Sequence, residues 1–417
     1  MAVAITRDPL DAYTGPRPAN QRLIFTLYDS AATPDRYVVK VYESDNTASD
    51  GTLIAKLYLT PNTNDRSHFD LSDIVSDRVS APTETDGGDI VHGIETISDS
   101  PADGTGLKKY VVVPGTFTSG TETMDTSGKV SLYLLGGVEQ VSAGLDVSFD
   151  RFYPTASTKD GFLTDLEFNS MDATTYMADD DEGIVALINT NTIGAVTTLS
   201  KVRIQLYVDG VVDQDLTSTI GTATNPVSDN MHLIPIGPKN LAAYFGVSWN
   251  DDWEEVVITG VEVDDVTAVT KKLKIVRDCR PIKHDAVQLA WKNSVGGWDY
   301  LRFDGRPQKT VSTETKTYRQ TLGNYDAASF SYNTYDRERT PYHITAKESY
   351  NLTNRYFTAS ERELLQYALR SKEVQYRVGS GSWLPCNIQT SSYTIQPAAS
   401  QLFEVSLTIE LAQDIRC

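Results

Sequence analysis

The chain has 417 residues, which at roughly 150 residues per domain suggests about three domains. A hydrophobic fraction of 40% with 22 Tyr and 12 Phe supplies enough apolar material for real cores and excludes a disordered polar chain. With 37 basic and 56 acidic residues the net charge is −19, so binding driven by counterion release from a polyanion is excluded and no nucleic-acid partner is expected.

Three cysteines, Cys279, Cys386 and Cys417, are too few and too scattered for a disulfide framework or a zinc ribbon, and reduced structural thiols are expected. The residues from Met1 to Asp8 lack the charged and apolar regions of a signal peptide, and no apolar run approaches about 20 residues. A soluble protein made in a cytosol, with no membrane partner, is the expectation.

In chain order, Arg22–Tyr28 (RLIFTLY), Tyr37–Tyr42 (YVVKVY) and Leu53–Leu59 (LIAKLYL) carry the branched and aromatic residues of strands and read as an antiparallel meander. His68–Val75 closes this unit with a turn or a single-turn helix, and Ser80–Gly106, with Pro82, Pro101 and many Asp, Thr and Gly, has loop composition. Tyr110–Val113 and Ser131–Leu135 resume strands. Gly161–Phe168 and Gly183–Ile188 then open a second region. In KVRIQLYVDGVVDQDL, Asp209-Gly210 between two apolar runs predicts a hairpin with a type I′ turn, because both central positions need positive φ. Pro235–Phe245 reads as a short helix starting at Pro238, followed by strands at Trp253–Val263 and Lys271–Val276.

Val287–Trp291, the turn Asn293–Gly297 and Trp298–Phe303 predict another hairpin, and Val311–Arg319 and Ser329–Tyr335 follow it. Thr358-Ala359-Ser360-Glu361 is a capping box, and Leu364, Leu365, Ala368 and Leu369 recur at helical spacing, so a helix is predicted over 359–370. Val374–Val378, Trp383–Ile388 and Leu402–Leu411 close the chain as strands. The predicted fold class is mainly β, with about three β-sandwich-like domains: an N-terminal one over 1–155, a middle one over 156–279, and a C-terminal sandwich with a single packed α-helix over 280–417.

Chemistry-bearing motifs are sparse. Gly379-Ser380-Gly381-Ser382 has the wrong spacing for a nucleophile elbow and reads as a hairpin turn. The histidines His68, His92, His232, His284 and His343 form no HExxH or HxH pair, and no phosphate-cradling glycine loop occurs. Asp179–Glu182, Asp251-Asp252 with Glu254-Glu255, and Asp264-Asp265 offer oxygen ligands but not EF-hand spacing, and read first as solvated loops. No pair of carboxylates is singled out for glycosidase chemistry, so no enzyme, cofactor or metal is expected. Trp291, Trp298, Tyr300 and Phe303 bracket the Gly296-Gly297 turn; burial in a core or a subunit contact is one reading, a sugar-stacking platform the other.

The segment CRPIKHDAVQLAWKNSVGGWDYLRF carries Cys279, Leu289, Trp291, Asn293, Gly296, Gly297, Trp298, Asp299 and Phe303 in a pattern that resembles a module of tailed-phage virion proteins, especially of phages of Bacteroidetes and marine hosts. LLQYALRSKEVQYRV, LPCNI and the final strand are similar to the end of that module, and FDLSDIV to its start. The resemblance implies a structural virion component of a tail, baseplate or neck, a homo-oligomeric ring in contact with neighbouring virion proteins, and no active site. Trp291, Asn293, Gly296, Gly297, Trp298, Asp299 and Phe303 are the candidate interface or structural residues. The alternative is a receptor- or carbohydrate-binding module on a tail fibre or capsid.

Overall fold

The computed structural model describes residues 3–7, 17–31, 33–44, 51–79, 85–86, 89–90, 95–97, 107–137, 150–154, 156–189, 199–220, 230–245, 252–279, 284–324, 328–357, 359–390, 403–413 and 415–416. The fold is mainly β, with several sheets and three helices among the described residues. None of these helices is long and apolar enough to cross a membrane.

In the first unit a three-stranded sheet (Val3–Arg7, Ile24–Asp29, Arg66–Asp70) lies over a six-stranded one built on Arg36–Ser44, Thr52–Leu59, Leu107–Thr118 and Val130–Leu135. Alternating residues Phe25 and Leu27 from one sheet and Tyr37, Val39, Val41, Tyr110 and Val112 from the other fill the space between them. Phe25 stacks on Phe69 with centroids 5.0 Å apart. The expected meander is therefore corrected: Ile24–Asp29 pairs with Val3–Arg7 and Arg66–Asp70, while Arg36–Ser44 crosses to the opposing sheet and pairs with Thr52–Leu59 and Leu107–Thr118. Both strands are apolar on the inward face, and that pattern is satisfied equally by neighbours in one sheet or by partners across a sandwich.

The middle unit faces a sheet of Phe162–Leu163, Ile184–Asn189, Asn230–Pro235 and Glu95–Ile97 against a five-stranded sheet in the order Asp172–Met177, Lys272–Arg277, Trp253–Val261, Lys201–Val208, Val211–Thr219. The Asp209-Gly210 hairpin forms as expected, with φ of +49° and +70° at its two central residues and Val208 opposite Val211. The acidic segment read as loop departs from expectation. Glu95–Ile97 from within it pairs with Met231–Leu233 and extends the middle unit's sheet.

The third unit is one eight-stranded sheet, in the order Trp298–Phe303, Val287–Lys292, Val374–Val378, Leu384–Ile388, Phe403–Leu411, Arg339–Phe357, Gln308–Arg319, with Ile415–Arg416 beside Arg339–Phe357. The helix Ala359–Arg370 covers one face with Leu364, Leu365 and Ala368, packing on Leu289, Trp291, Phe303 and Phe357. Its capping residue Thr358 lies outside the described residues. Gly379-Ser380-Gly381-Ser382 is the expected turn between paired strands, with Gly379 at φ +52°. Of the cysteines, Cys279 is exposed and Cys386 is buried, its thiol pushed up to about 12 by burial; Cys417 lies outside the described residues.

Candidate functional site

Two features stand out: a joint inside the chain and an arm outside it. The joint is the hairpin Val287–Lys292/Trp298–Phe303, buried at every one of its strand positions. Strand alternation sends Val287, Leu289, Trp291, Leu301 and Phe303 into the helix-side core, where the Phe303 ring meets Phe357 edge-on at 5.3 Å. The other face sends Ala290, Trp298 and Tyr300 into the core of the middle unit. One hairpin thus serves two cores. The candidate aromatics occupy these cores within a single chain, which removes Trp291, Trp298, Tyr300 and Phe303 as sugar-stacking platforms or as surfaces for another subunit.

The turn is laced to the segment after Leu163. Asn293 is fully buried; its Nδ2 donates to the Leu163 carbonyl at 2.9 Å, and its Oδ1 accepts from the Val295 and Gly297 amides. Gly296 has φ +93°, and Gly297 leaves room for Leu163, whose carbonyl oxygen would lie 2.2 Å from a Cβ there. The Asp165 carboxylate accepts from the Ser294 amide and hydroxyl, while Asp299 accepts from the Thr164 hydroxyl and the Asp165 amide. Burial and then the Asp165 charge push Asp299 up to about 7, and burial raises Asp165 as well.

On the face toward the middle unit, Asp181 and Glu182 of the acidic run meet basic residues that the sequence pattern did not single out and form a buried ionic cluster with them. Arg302 pairs with Asp181 at 2.5 Å and with Asp180 at 3.0 Å. Glu182 is contacted by Arg377 at 3.5 Å, by Lys239 at 2.5 Å and by the Trp383 indole at 3.2 Å, and the Gln288 side chain bonds its backbone in both directions. Asp181 is pushed up to about 6 by burial despite Arg302. The reading of Asp179–Glu182 as a solvated loop is corrected here. Asp181 and Glu182 are buried because each meets a guanidinium delivered from a distant strand. Elsewhere the acidic clusters cap local backbone: Glu254 accepts from the Gly210 amide, and Asp264 accepts from Val266 and Thr267, which holds it down at about 2. Asp251 lies outside the described residues.

A cleft of about 750 Å³ separates the first and third units, and two of the bases that line it are paired with acids. Lys372 meets Asp77, and the buried Lys292 reaches the Val79 carbonyl and Glu373. The described histidines do not converge: His232 is buried in the middle unit and pushed down to about 4, while His68 and His343 bond neighbouring threonines. His92 lies outside the described residues. Among the described residues no three His, Cys, Asp or Glu are placed to hold a metal ion.

The arm is Gln308–Arg319 with the first part of Arg339–Phe357, in register from Gln308 opposite Asn351 to Arg319 opposite Arg339. All twelve residues of Gln308–Arg319 are exposed, and the strand is the last in its sheet. At about 3.3 Å per residue it runs about 40 Å. The other strand has the neighbour Phe403–Leu411 only from Ser349 onward, with Ile415–Arg416 beside Thr345 and Ala346. Beyond that, among the described residues, the arm is a two-stranded ribbon with no further strand beside it. It carries Tyr318, Tyr342, Phe330, Tyr332 and Tyr335 on its surface, the last 80% exposed. The sequence signal was present in the Thr-rich alternation of QKTVSTETKTYR, but alternation does not tell whether the second face is covered.

No family model and no curated protein matches the chain. Among solved structures, it is similar to the crystal structure of CBD12 from CALX1.2 at 8% identity and a TM-score of 0.20, covering 64% of this chain and 97% of that one. It is also similar to a marsupial T cell receptor at 11% identity and a TM-score of 0.18, covering 80% and 94%. Likeness at this level carries no argument about activity or partner.

Proposed function

We propose that the chain is a structural component of a tailed-phage particle, not an enzyme, and that it packs with copies of itself and with neighbouring virion proteins in a tail, baseplate or neck. The observation that carries this reading is the arm. An isolated two-stranded ribbon is marginal in water, and five exposed aromatic rings on one protrusion mark a surface meant to be covered. The joint supports the same reading, because one hairpin buries its two faces in the cores of the middle and third units and ties them to each other. The resemblance of Cys279–Phe303 to virion modules supplies the setting. Immunogold labelling and mass spectrometry of purified particles from a phage encoding the chain test it. Stoichiometric, regularly placed copies are expected; a chain abundant in the lysate and missing from particles overturns the reading.

A second reading, recognition of a host glycan, draws on Tyr332 and Tyr335, which present their rings at the end of the arm. Binding on a glycan array that is lost in Tyr332→Ala/Tyr335→Ala would favour it.

A further inference from the structure

We propose that the outer strand of the arm, Gln308–Arg319, pairs edge to edge with the strand Val211–Thr219 of the middle unit in a second copy of this chain. The inference rests on the assembly reading above and names its contact.

The first support is the distribution of charge. Residues 1–155 hold 12 basic and 22 acidic side chains, net −10, and residues 156–279 hold 8 and 20, net −12. Residues 280–417 hold 17 and 14, net +3, and within them the arm, residues 308–351, holds 6 and 5, net +1. A chain of net −19 repels its copies on average, yet it carries one protruding element of the opposite sign. The surface this element fits best by charge is the middle unit. Two copies can meet arm to middle unit with attraction, whereas middle unit to middle unit repels.

The second support is the pair of open edges. Gln308–Arg319 ends the eight-stranded sheet and Val211–Thr219 ends the five-stranded sheet, so each presents a row of backbone donors and acceptors with no strand beyond it among the described residues. Such edges are what strand addition uses. The side chains agree in chemistry. The arm strand bears Lys309, Lys316 and Arg319 with one acid, Glu314, and since Lys309 is shared with Glu348 and Arg319 with Glu338 inside the arm, Lys316 is the leading basic contact; the middle-unit strand bears Asp213 and Asp215 and no base, with Asp209 in its turn. Asp215 is shared with Arg203, so the exposed Asp213 is the leading acidic contact. Both strands also expose apolar residues: Val311 and Tyr318 on one, Val211 and Val212 on the other.

The contact is heterologous, since the arm and the acceptor edge are different surfaces. Each copy keeps one of each free after pairing, and growth continues until a ring closes or a filament runs on.

This logic supplies the test. In full-length protein, Lys316→Ala/Tyr318→Ala disables the arm and Val212→Lys/Asp213→Lys disables the edge, all at exposed positions and with no new charge pair between the two disabled surfaces. Sedimentation velocity across a concentration series should find wild type growing into larger, salt-sensitive species. Each variant alone should associate about tenfold more weakly or less. An equimolar mixture of the two should form a 1:1 dimer that goes no further, because each variant retains the half the other lacks. Lys316→Arg should behave as wild type. Growth of either variant like wild type overturns the contact, as does a mixture that stays monomeric. Wild type that assembles while the arm variant assembles equally removes this contact and leaves the structural reading standing; wild type that never associates removes self-pairing, and particle labelling then judges the structural reading separately.

Discussion

Replacing Gly297 by alanine tests the joint at its closest approach. A Cβ there would stand 2.2 Å from the Leu163 carbonyl oxygen and 3.2 Å from the Asn293 Nδ2 that donates to that carbonyl. Because the first atom is backbone, it cannot swing aside, and the segment after Leu163 must move. Overpacking a filled site costs about 1–3 kcal/mol. Moving Leu163 also strands a buried carbonyl and the Asn293 amide, another ~1–3 kcal/mol. The expected loss is therefore about 4 kcal/mol. Gly210 is the control: it needs φ +70°, but nothing lies within 4 Å of a Cβ there, so alanine meets only the left-handed backbone penalty of about 1–2 kcal/mol. At about 2–4 °C per kcal/mol for a cooperative unit of this size, calorimetry should show Gly297→Ala melting roughly 10 °C below wild type and Gly210→Ala falling by about half that or less. Hydrogen exchange should find the Asp165 and Ser294 amides, bonded across the joint, deprotected only in Gly297→Ala. A Gly297→Ala protein that melts with wild type and keeps both amides protected would refute the joint as the tie between middle and third units.

Arg377→Met leaves Glu182 buried with one guanidinium gone and should cost about 3–5 kcal/mol, whereas Arg203→Met at the exposed Asp215 pair should cost under about 1 kcal/mol; equal losses in denaturant unfolding would contradict the burial difference. Stability should fall as pH rises from about 4 to about 7. Asp181 and Asp299, raised by burial to about 6 and about 7, hold protons in the folded state that the unfolded chain has released; His232, pushed down to about 4, works the other way below about 6.5 and offsets part of the fall, but the two carboxyls outweigh the one imidazole. Thermal midpoints measured across it should decline with pH and decline less steeply in Asp299→Asn; a rise would show that other groups dominate.

The parts of the fold legible in sequence are those fixed by local chemistry. Asp209-Gly210 announces its turn because positive φ at two consecutive positions is a property of those two residues. The helix Ala359–Arg370 is readable from its apolar spacing. What local pattern does not carry is the identity of the neighbour. RLIFTLY and YVVKVY look like adjacent strands, yet they face each other across a core. VQLAWK and WDYLRF look half-wet because Gln288, Lys292, Asp299 and Arg302 interrupt them, but both faces are buried, and those polar residues are where the joint is fastened. The candidate residues Asn293, Gly296, Gly297 and Asp299 are fastenings within one chain. Glu182 and Arg377 lie 195 positions apart, and no spacing rule connects them.

The joint and the arm also bear on each other. Head-to-tail contacts close into a ring of one size only when the angle between the donating and accepting surfaces is the same in every copy. Here the arm grows out of the third unit's sheet and the proposed acceptor edge belongs to the middle unit, so that angle is set where those units meet, at the hairpin around Asn293. Ser294→Ala removes one hydroxyl from Asp165 while leaving the turn's backbone and Asn293 in place, a loss of about 1 kcal/mol that leaves the chain folded. It should loosen the angle without touching either contacting strand. Assemblies of this variant, weighed particle by particle, should spread over several sizes where wild type gives one, with the arm-to-edge affinity in the capped 1:1 dimer unchanged. A single sharp size identical to wild type would mean that the angle is set by the arm itself, and the joint would then matter for stability alone.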